Sequence, residues 1–205
     1  MGDYGIVQGK AGPTPLADGG NAALRLGRQG ELIVAQSHGK YSEASFRGSL
    51  YGCSNQAATA TSIALATAYT GLCLINPAGS PVCLALLQVG VVITTAQVAV
   101  SSVGLIGNYS GTAVTNTTPG VPYSCYLGRS AGYGKTSVSA TLPATPVWLA
   151  QYGGSFTAGA LGSHTPHIIE VDGSILLPPS SYVAIGSLTA LSGFFSMIWE
   201  EIPNC

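Results

Sequence analysis

The sequence predicts an all-β domain, a jelly-roll-like antiparallel β-sandwich that follows an extended N-terminal arm. Short apolar runs recur at short spacing between Gly, Pro, Asn and Ser, and several of them alternate between apolar and polar residues with a period of two. Residues 1–30, in contrast, are rich in glycine and proline and show no apolar period. We therefore expect an extended N-terminal arm over residues 1–45 and a sandwich over residues 46–205.

The longest apolar stretch runs from Val82 to Val100 and contains no charged residue. As a helix it would be roughly 28 Å long, close to the thickness of a bilayer core. Its cluster of β-branched residues favours strand, no Lys or Arg flanks it, and Gln88 and Gln97 would lie inside the bilayer. We interpret it as strand, turn, strand, with no membrane span. The predicted inward face is Cys83, Ala85, Leu87, Val89, Val91 and Ile93.

The remaining elements follow the same pattern along the chain. In the last quarter, Asp172-Gly173 stands between two apolar runs and predicts a β-hairpin, since both positions tolerate positive φ. Residues 107–120 are predicted to form a long polar loop, and residues 55–69 stay ambiguous between a short helix and irregular structure. Other predicted strands cover residues 31–36, 71–75, 98–106, 122–127, 136–142, 147–152, 181–190 and 193–202. The predicted core residues are Val89, Val91, Ile93, Ile169, Val171, Val183, Ile185, Phe195, Met197 and Trp199.

Charged residues are scarce and unevenly placed. They make up 7% of the chain, against about 25% in ordinary globular proteins. From Gly48 to Gly128 there is no Asp, Glu, Lys, Arg or His, and the net charge of −1 argues against a nucleic-acid partner. A free monomer with so neutral a surface would tend to associate. We expect either burial of this region against partners or solvation by its Ser, Thr, Asn and Gln side chains.

The five cysteines are Cys53, Cys73, Cys83, Cys125 and Cys205, and none forms a C-x-x-C pair. The count is odd, and the first twenty residues lack the apolar core of a secretory signal. We therefore expect free thiols in a reducing cytoplasm, mostly as small core residues, rather than a disulfide scaffold.

The motifs that resemble cofactor sites fail on spacing. The segment GRSAGYGKTS ends like a phosphate-binding loop, but Arg129 stands where the motif needs its first glycine, five positions before Gly134. The residues that follow alternate like a strand, so no helix N-terminus is expected there. In a strand Glu170 and Asp172 would share a face, with His167 out of phase, so these residues do not converge on a metal. We expect no cofactor and no metal.

Catalytic residues are also not predicted. The chain has three histidines and no G-x-S-x-G elbow. The adjacent carboxylates Glu200 and Glu201 would point to opposite faces of a strand and make a poor acid–base pair. We therefore expect that the protein is not an enzyme.

The balance of tyrosine and lysine favours a protein interface. Ten tyrosines stand against three lysines, and tyrosine is enriched and lysine depleted in protein contacts. The basic residues of the N-terminal segment are suited to pairing with carboxylates of a partner. Tyr69 and Tyr109 are further interface candidates. The predicted interface residues are Tyr4, Lys10, Arg25, Arg28, Tyr41, Arg47 and Tyr51.

Three segments resemble small virion proteins of tailed bacteriophages, the head-decoration or cement proteins: GGNAALRLGRQGELIVAQSHGKYSEASFRG, TGLCLINPAGS and PPSSYVAIGSLTALSGFFSMIWEEI. The resemblance implies a jelly-roll domain, typically a homotrimer, that binds the major capsid protein on the exterior of the virion. It also implies synthesis in the cytoplasm of the bacterial host. The segment from Arg25 to Arg47 would lie in or near the capsid contact. The resemblance carries over no catalytic residue.

Two other function classes stay open from the sequence. A receptor-binding or fibre-tip module would use exposed loops such as residues 107–120 to bind a host glycan, and would be present in a few copies per virion. An enzyme such as a depolymerase would need a cleft with two carboxylates, which the sequence does not supply.

Overall fold

A computed structural model describes residues 39–61, 65–94, 101–155 and 167–203. The chain divides into two compact units, Met1–Lys40 and Tyr41–Cys205, so the second unit begins before the predicted boundary at Phe46. The residues just before that boundary belong to a short helix, α1 (Ser42–Arg47), rather than to an extended arm. Most of the predicted arm, residues 1–38, lies outside the described residues, as does the predicted strand 31–36.

The described part of the second unit contains twelve strands besides α1, and these strands pair in two antiparallel sheets. The first sheet has the order β10-β4-β12-β1-β7, with β2 beside β12, and the second has the order β6-β8-β3-β11-β5-β9. The strands are β1 (Leu50–Ser54), β2 (Thr59–Ala60), β3 (Ala68–Asn76), β4 (Val82–Ile93), β5 (Ser101–Tyr109), β6 (Thr115–Pro119), β7 (Tyr123–Ser124), β8 (Lys135–Thr141), β9 (Val147–Ser155), β10 (His167–Leu177), β11 (Ser181–Ser187) and β12 (Ser192–Pro203).

The strand order follows the jelly-roll scheme of two interlocked Greek keys. Four strands, β1-β12-β4-β10, lie side by side in one sheet, and β3-β11-β5-β9 lie side by side in the other. From β9 to β12 the chain changes sheet at every connection, so strands that follow each other in sequence lie in opposite sheets. The predicted all-β sandwich is confirmed.

The main core lies between the two sheets and contains the strongest apolar positions of the sequence. Val89, Val183 and Trp199 are completely buried there, as are leucines of β3 and β5. Eight of the ten predicted core residues are buried, while Ile93 and Ile169 are half-buried and pack against the core. Full burial of such side chains, at about 1.5–3 kcal/mol each, is the main stabilising contribution to this sandwich.

A second apolar cluster occupies the opposite face of the second sheet. Cys73 lies between core leucines on β3, so its side chain points away from the main core. It packs with Tyr69 and Tyr182, and the Tyr182 hydroxyl donates to the carbonyl of Ala144 at 2.6 Å. Leu142 belongs to the same cluster, so the β8–β9 connection packs on this face.

The apolar stretch that begins at Val82 forms strand β4. Three of the six residues predicted for its inward face do point to the main core: Val89, Val91 and Ile93. Leu84 and Leu86 belong to the main core, and Val89 and Val91 continue it. Leu87 is an extra residue, because β12 pairs consecutive residues with Leu86 and Gln88. This bulge shifts the alternation by one position. The residues on the opposite face, buried nonetheless, are Cys83, Ala85 and Leu87. The part of the chain that the structure describes contains no helix long and apolar enough to cross a bilayer.

The predicted hairpin at Asp172-Gly173 is a bulge within a single strand. Both residues adopt positive φ, 52° and 76°, as the sequence indicated. However, Glu170 and Ile175 pair with Gln88 and Leu86 of the same strand, β4. The two apolar runs therefore continue one strand instead of folding back on each other, and residues 171–174 bulge out of it.

Two polar segments also differ from the predictions. Residues 107–120 are not one long loop, because β5 extends to Tyr109 and β6 begins at Thr115. All five residues of β6 are exposed, so they show none of the alternation that marks a half-buried strand. Within the ambiguous stretch 55–69, the described residues form β2 and the start of β3 and contain no helix. Of the predicted strand 122–127 only β7 is regular.

The prediction of five free thiols is wrong for Cys83, which is disulfide-bonded. Cys53, Cys73 and Cys125 are free. Burial raises the pKa of all three thiols, so none has the stabilised thiolate of a reactive cysteine. Sequence spacing does not reveal which cysteine reaches another, because that depends on strand register.

Candidate interaction surface

Four aromatic rings, a leucine and an arginine lie together at the β1–β7 edge of the first sheet, and five of these six residues are missing from the predicted site. Its most exposed members are Leu127, at 81% exposure, and Phe46, at 57%. Rings that remain in contact with solvent on a folded domain are the features that mark an interface. We call this surface the aromatic edge; it consists of Phe46, Tyr51, Tyr123, Tyr126, Leu127 and Arg129.

Helix α1 and the turn that ends it position one side of the aromatic edge. Gly48 ends the helix in the left-handed conformation, with φ 78°, which glycine adopts without steric strain. The Arg129 guanidinium fills the space where a Cβ of Gly48 would stand, and its Nη1 donates to the carbonyl of Arg47 at 2.9 Å. A side chain at residue 48 would therefore displace Arg129 from the helix end.

Arg129 also holds the second ring of the surface. Its guanidinium carbon lies 4.7 Å from the centroid of the Tyr126 ring, within the range of a cation–π contact. The Tyr126 ring in turn meets Phe46 edge-to-face, with centroids 6.4 Å apart and planes at 71°. These contacts order two half-exposed rings that would otherwise lose side-chain entropy on binding a partner.

Tyr51 connects the aromatic edge to the core. Its ring stacks on the buried Trp199, with centroids 6.2 Å apart and planes at 26°, and its hydroxyl donates to the carbonyl of Gly48 at 2.7 Å. Burial raises the pKa of Tyr51, and the nearby Glu201 carboxylate raises it further. Tyr51 therefore stays neutral. Its contacts with Trp199 and Gly48 hold the ring in place beside the more exposed rings.

Gly52 explains how Tyr123 reaches the same surface. The Tyr123 ring lies over the Gly52 backbone, so that a Cβ at Gly52 would stand 2.8 Å from the ring. β7 pairs with β1 at these residues and forms an edge of the first sheet. The surface thus combines the terminal strand of the first sheet with exposed rings.

The paired carboxylates of β12 lie behind this surface and point in opposite directions, as predicted. Glu201 is buried, and one of its oxygens accepts from the backbone N–H of Gly134 at 2.8 Å. Glu200, on the other face, accepts from the Ser49 hydroxyl at 3.2 Å. A Cβ at Gly132 would overlap the Glu201 carboxylate, so the glycines of the former phosphate-loop candidate instead let the backbone approach Glu201.

The other predicted site residues are dispersed. Tyr41 contacts β10, where its hydroxyl donates to Asp172 Oδ1 at 2.7 Å. Arg47 pairs through Nε with Glu43 at 2.7 Å on exposed α1. Tyr69 is buried, so its assignment as an interface residue is wrong, whereas Tyr109 is exposed but belongs to β5 of the second sheet. The predicted residues outside the described part of the chain are Tyr4, Lys10, Arg25 and Arg28.

Sequence reasoning missed most of the aromatic edge, although one signal was present. The segment from Tyr123 to Arg129 holds two tyrosines, a leucine and an arginine within seven residues. Arg129 is the first charged residue after the neutral block that begins at Gly48. The contact with α1 was not predictable, since Arg129 and Arg47 are 82 positions apart.

The described residues contain no cluster of three or more His, Cys, Asp or Glu side chains that would suit a metal ion. No protein-family model matches the chain, and neither a curated protein nor a solved structure matches it.

Proposed function

We propose that this protein is a virion structural protein, a cement or decoration protein that binds the shell of the major capsid protein from outside and stabilises it. The observation that carries the proposal is the aromatic edge, an exposed group of rings on a domain with few charges. Tyrosine, phenylalanine and arginine are the residue types enriched at the centre of protein interfaces. The sequence resemblance to head-decoration proteins supplies the class of partner.

The physical logic of the role is multivalency. A decoration protein binds many copies of one lattice, so modest affinity at each contact becomes a large stabilisation of the shell. The rings of the aromatic edge suit this task because Arg129 and Trp199 already order Tyr126 and Tyr51 before binding. Preordered side chains lose less entropy on association.

We further propose that the protein is a homotrimer, in which the charge-poor stretch from Gly48 to Gly128 contributes to the contacts between subunits. A neutral surface does not repel a second copy of itself, and closed cyclic symmetry satisfies every copy of the contact. Light scattering at micromolar concentration should give three times the mass of the 20.7 kDa chain. A stable monomer at that concentration would contradict this proposal.

Copy number on purified particles tests the proposed role directly. Quantitative mass spectrometry of virions should find hundreds of copies of this chain, in a fixed ratio to the major capsid protein. A few copies per virion would instead favour the receptor-binding or fibre-tip role, in which an exposed surface around Tyr109 would bind a host glycan. Absence from purified particles would overturn both.

A pair of matched variants tests whether the aromatic edge makes the contact. Leu127→Asp places a charge at the centre of the proposed interface, and Leu188→Asp places the same charge at an exposed leucine after β11. Both positions are exposed, so both variants should melt within a few degrees of the wild type. We expect Leu127→Asp to bind shells that lack this protein at least about tenfold more weakly. Equal binding of the two variants would exclude the aromatic edge as the contact.

A further inference from the structure

A groove of about 420 Å³ lies between the turn 77–81, which joins β3 to β4, and the segment that leads into β8. Pro77 and Pro81 restrict the backbone of the turn, and the Ser80 N–H donates to the carbonyl of Pro77 at 3.2 Å. One wall of the groove is therefore rigid before anything binds. The residues that line the other wall are Gly132, Tyr133 and Lys135. We call this site the turn groove.

Two glycines hold the second wall of the turn groove against β12. A Cβ at Gly132 would overlap the Glu201 carboxylate, and a Cβ at Gly134 would stand 2.8 Å from Trp199 Nε1. Both glycines therefore face β12, while Tyr133 between them is 54% exposed. The wall thus rests on the strand that also supports the aromatic edge.

The turn groove continues the aromatic edge. Burial raises the pKa of Tyr51, as does the Glu201 carboxylate; Arg129 lowers this pKa and Tyr133 raises it, so both residues lie within electrostatic range of the Tyr51 hydroxyl. Tyr51 and Arg129 belong to the aromatic edge, and Tyr133 lines the groove. A partner seated on the aromatic edge therefore also reaches the turn groove.

The charges of this combined surface are positive. Between Gly48 and Glu170 the sequence has two Asp, Glu, Lys or Arg residues, Arg129 and Lys135. Lys135 is exposed, and the described part of the chain places no carboxylate within ion-pair distance of its ammonium group. The Arg129 guanidinium donates through Nη1 to the carbonyl of Arg47 and has further N–H donors. Two cations on an otherwise neutral surface complement a negatively charged partner.

We propose that the turn groove receives an acidic, extended segment of the partner protein, with one of its carboxylates on the Lys135 ammonium. The inference deepens the proposed function and rests on it, since the partner is the capsid shell. The two prolines and the Tyr133 ring suit the apolar part of such a segment, and Lys135 supplies the opposite charge. A second carboxylate of the same segment suits the remaining donors of Arg129.

Co-sedimentation of the full chain with shells that lack this protein tests the charge. Lys135→Gln should bind at least about threefold more weakly at about 50 mM NaCl, and should lose less affinity than the wild type when the salt rises to about 300 mM. Lys135→Arg keeps the charge and should bind like the wild type. The matched control is Leu188→Asp, which lowers the net charge by the same amount at another exposed position and should also bind like the wild type.

The outcomes separate the groove from the proposed function. If Lys135→Gln has the affinity and the salt dependence of the wild type, the groove does not hold a carboxylate, and the proposed function still stands. A wild-type protein that does not bind shells would overturn both. Lys135 is exposed, so each variant should melt within a few degrees of the wild type.

Zero-length crosslinking tests the chemistry of the segment in the groove. A water-soluble carbodiimide activates carboxylates on decorated shells, and an amine in contact with one then forms an amide as the reagent leaves as a urea. After digestion with chymotrypsin, we expect the peptide that contains Lys135 joined to an Asp or Glu of the major capsid protein. Lys135→Arg should bind shells but give no such crosslink, because a guanidinium does not form the amide. A Lys135 peptide recovered only unlinked, or linked only to a second copy of this chain, would overturn the inference.

Discussion

Two buried tyrosines link the stability of the second sheet to alkaline pH. Burial raises the pKa of Tyr182 to about 12 and raises that of Tyr69 well above its ordinary value of 10.0. The folded state therefore favours the neutral phenol, while the unfolded chain ionises near pH 10. This contribution to stability is complete below pH 10, and for Tyr182 it is lost as the pH rises from about 10 to about 12.

Tyr182→Phe tests this linkage. The variant keeps the ring but loses the hydrogen bond to Ala144, so it should be less stable than the wild type at pH 8 by about 1 kcal/mol. Its free energy of unfolding should fall less steeply between pH 10 and pH 12. Urea unfolding across pH 8–12 measures both effects. The control is Tyr109→Phe at an exposed tyrosine, and a wild-type slope in Tyr182→Phe would contradict the prediction.

Asn76 is a single residue that joins the two sheets. It is completely buried at the end of β3, and its Nδ2 donates to the carbonyls of Val82 and Leu177, each at 2.8 Å. Val82 begins β4 and Leu177 ends β10, both in the first sheet. Asn76→Ala removes two hydrogen bonds and leaves two carbonyls without this donor.

We expect Asn76→Ala to lower the free energy of unfolding by about 2–4 kcal/mol, because it removes two buried hydrogen bonds, and only the Val82 carbonyl keeps a side-chain donor, the Ser80 hydroxyl at 3.3 Å. Chemical denaturation of the purified domain measures the change. Gln56→Ala is the matched control, since Gln56 donates one hydrogen bond at an exposed position. Equal losses in the two variants would show that Asn76 does not act as the bridge between sheets.

At the scale of elements, the bulge of β10 depends on backbone conformation. Gly173 has φ 76°, a region that side chains adopt with strain, while Gly153 on edge strand β9 has open space and no such φ. Gly173→Ala should lower the free energy of unfolding by about 1 kcal/mol. Gly153→Ala should stay within about 0.5 kcal/mol of the wild type. Denaturant unfolding of both variants decides, and a neutral Gly173→Ala would show that the bulge adopts another conformation in solution.

The elements differ in how far their sequences predict them. β11 and β12 were predictable because each is an apolar run bounded by turn residues, with core side chains such as Val183 and Phe195. The phase of β4 was not, since the extra residue Leu87 is defined only by the partner strands. β6 was missed because both of its faces are exposed. The aromatic edge was missed for a different reason: α1 and the segment around Arg129 meet only in the folded chain.

At the scale of the whole molecule, charge and fold are distributed differently. Six of the eight strands of the jelly roll contain no Asp, Glu, Lys or Arg: β1, β3, β4, β5, β9 and β11.

 

The acidic residues of these eight strands lie on β10 and β12. Nine of the fifteen charged residues instead precede Gly48. A domain built this way has few charges with which to choose a partner, so the segment before Gly48 supplies most of the chain's capacity for ion pairs.

The last prediction concerns that segment. Residues 1–20 are rich in glycine and proline and contain few large apolar side chains, so they have no burial of their own to offset the backbone entropy of ordering, on the order of 1–2 kcal/mol per residue. The unit Tyr41–Cys205 contains the core of the sandwich. Deleting Met1–Gly20 should therefore leave the Tm within a few degrees of the full chain.

We expect the same deletion to weaken attachment to shells, because we propose that the arm becomes ordered only against a partner, with Arg25, Arg28 and Arg47 pairing with carboxylates of that partner. Co-sedimentation with shells that lack this protein measures the affinity at two salt concentrations. A second variant, the full chain with Arg25→Ala and Arg28→Ala, tests the arginines themselves. It should bind shells more weakly, and its binding should depend less on salt, since salt screens ion pairs. If the truncated protein binds shells as tightly as the full chain, the arm is not the anchor, and the aromatic edge has to account for the attachment alone.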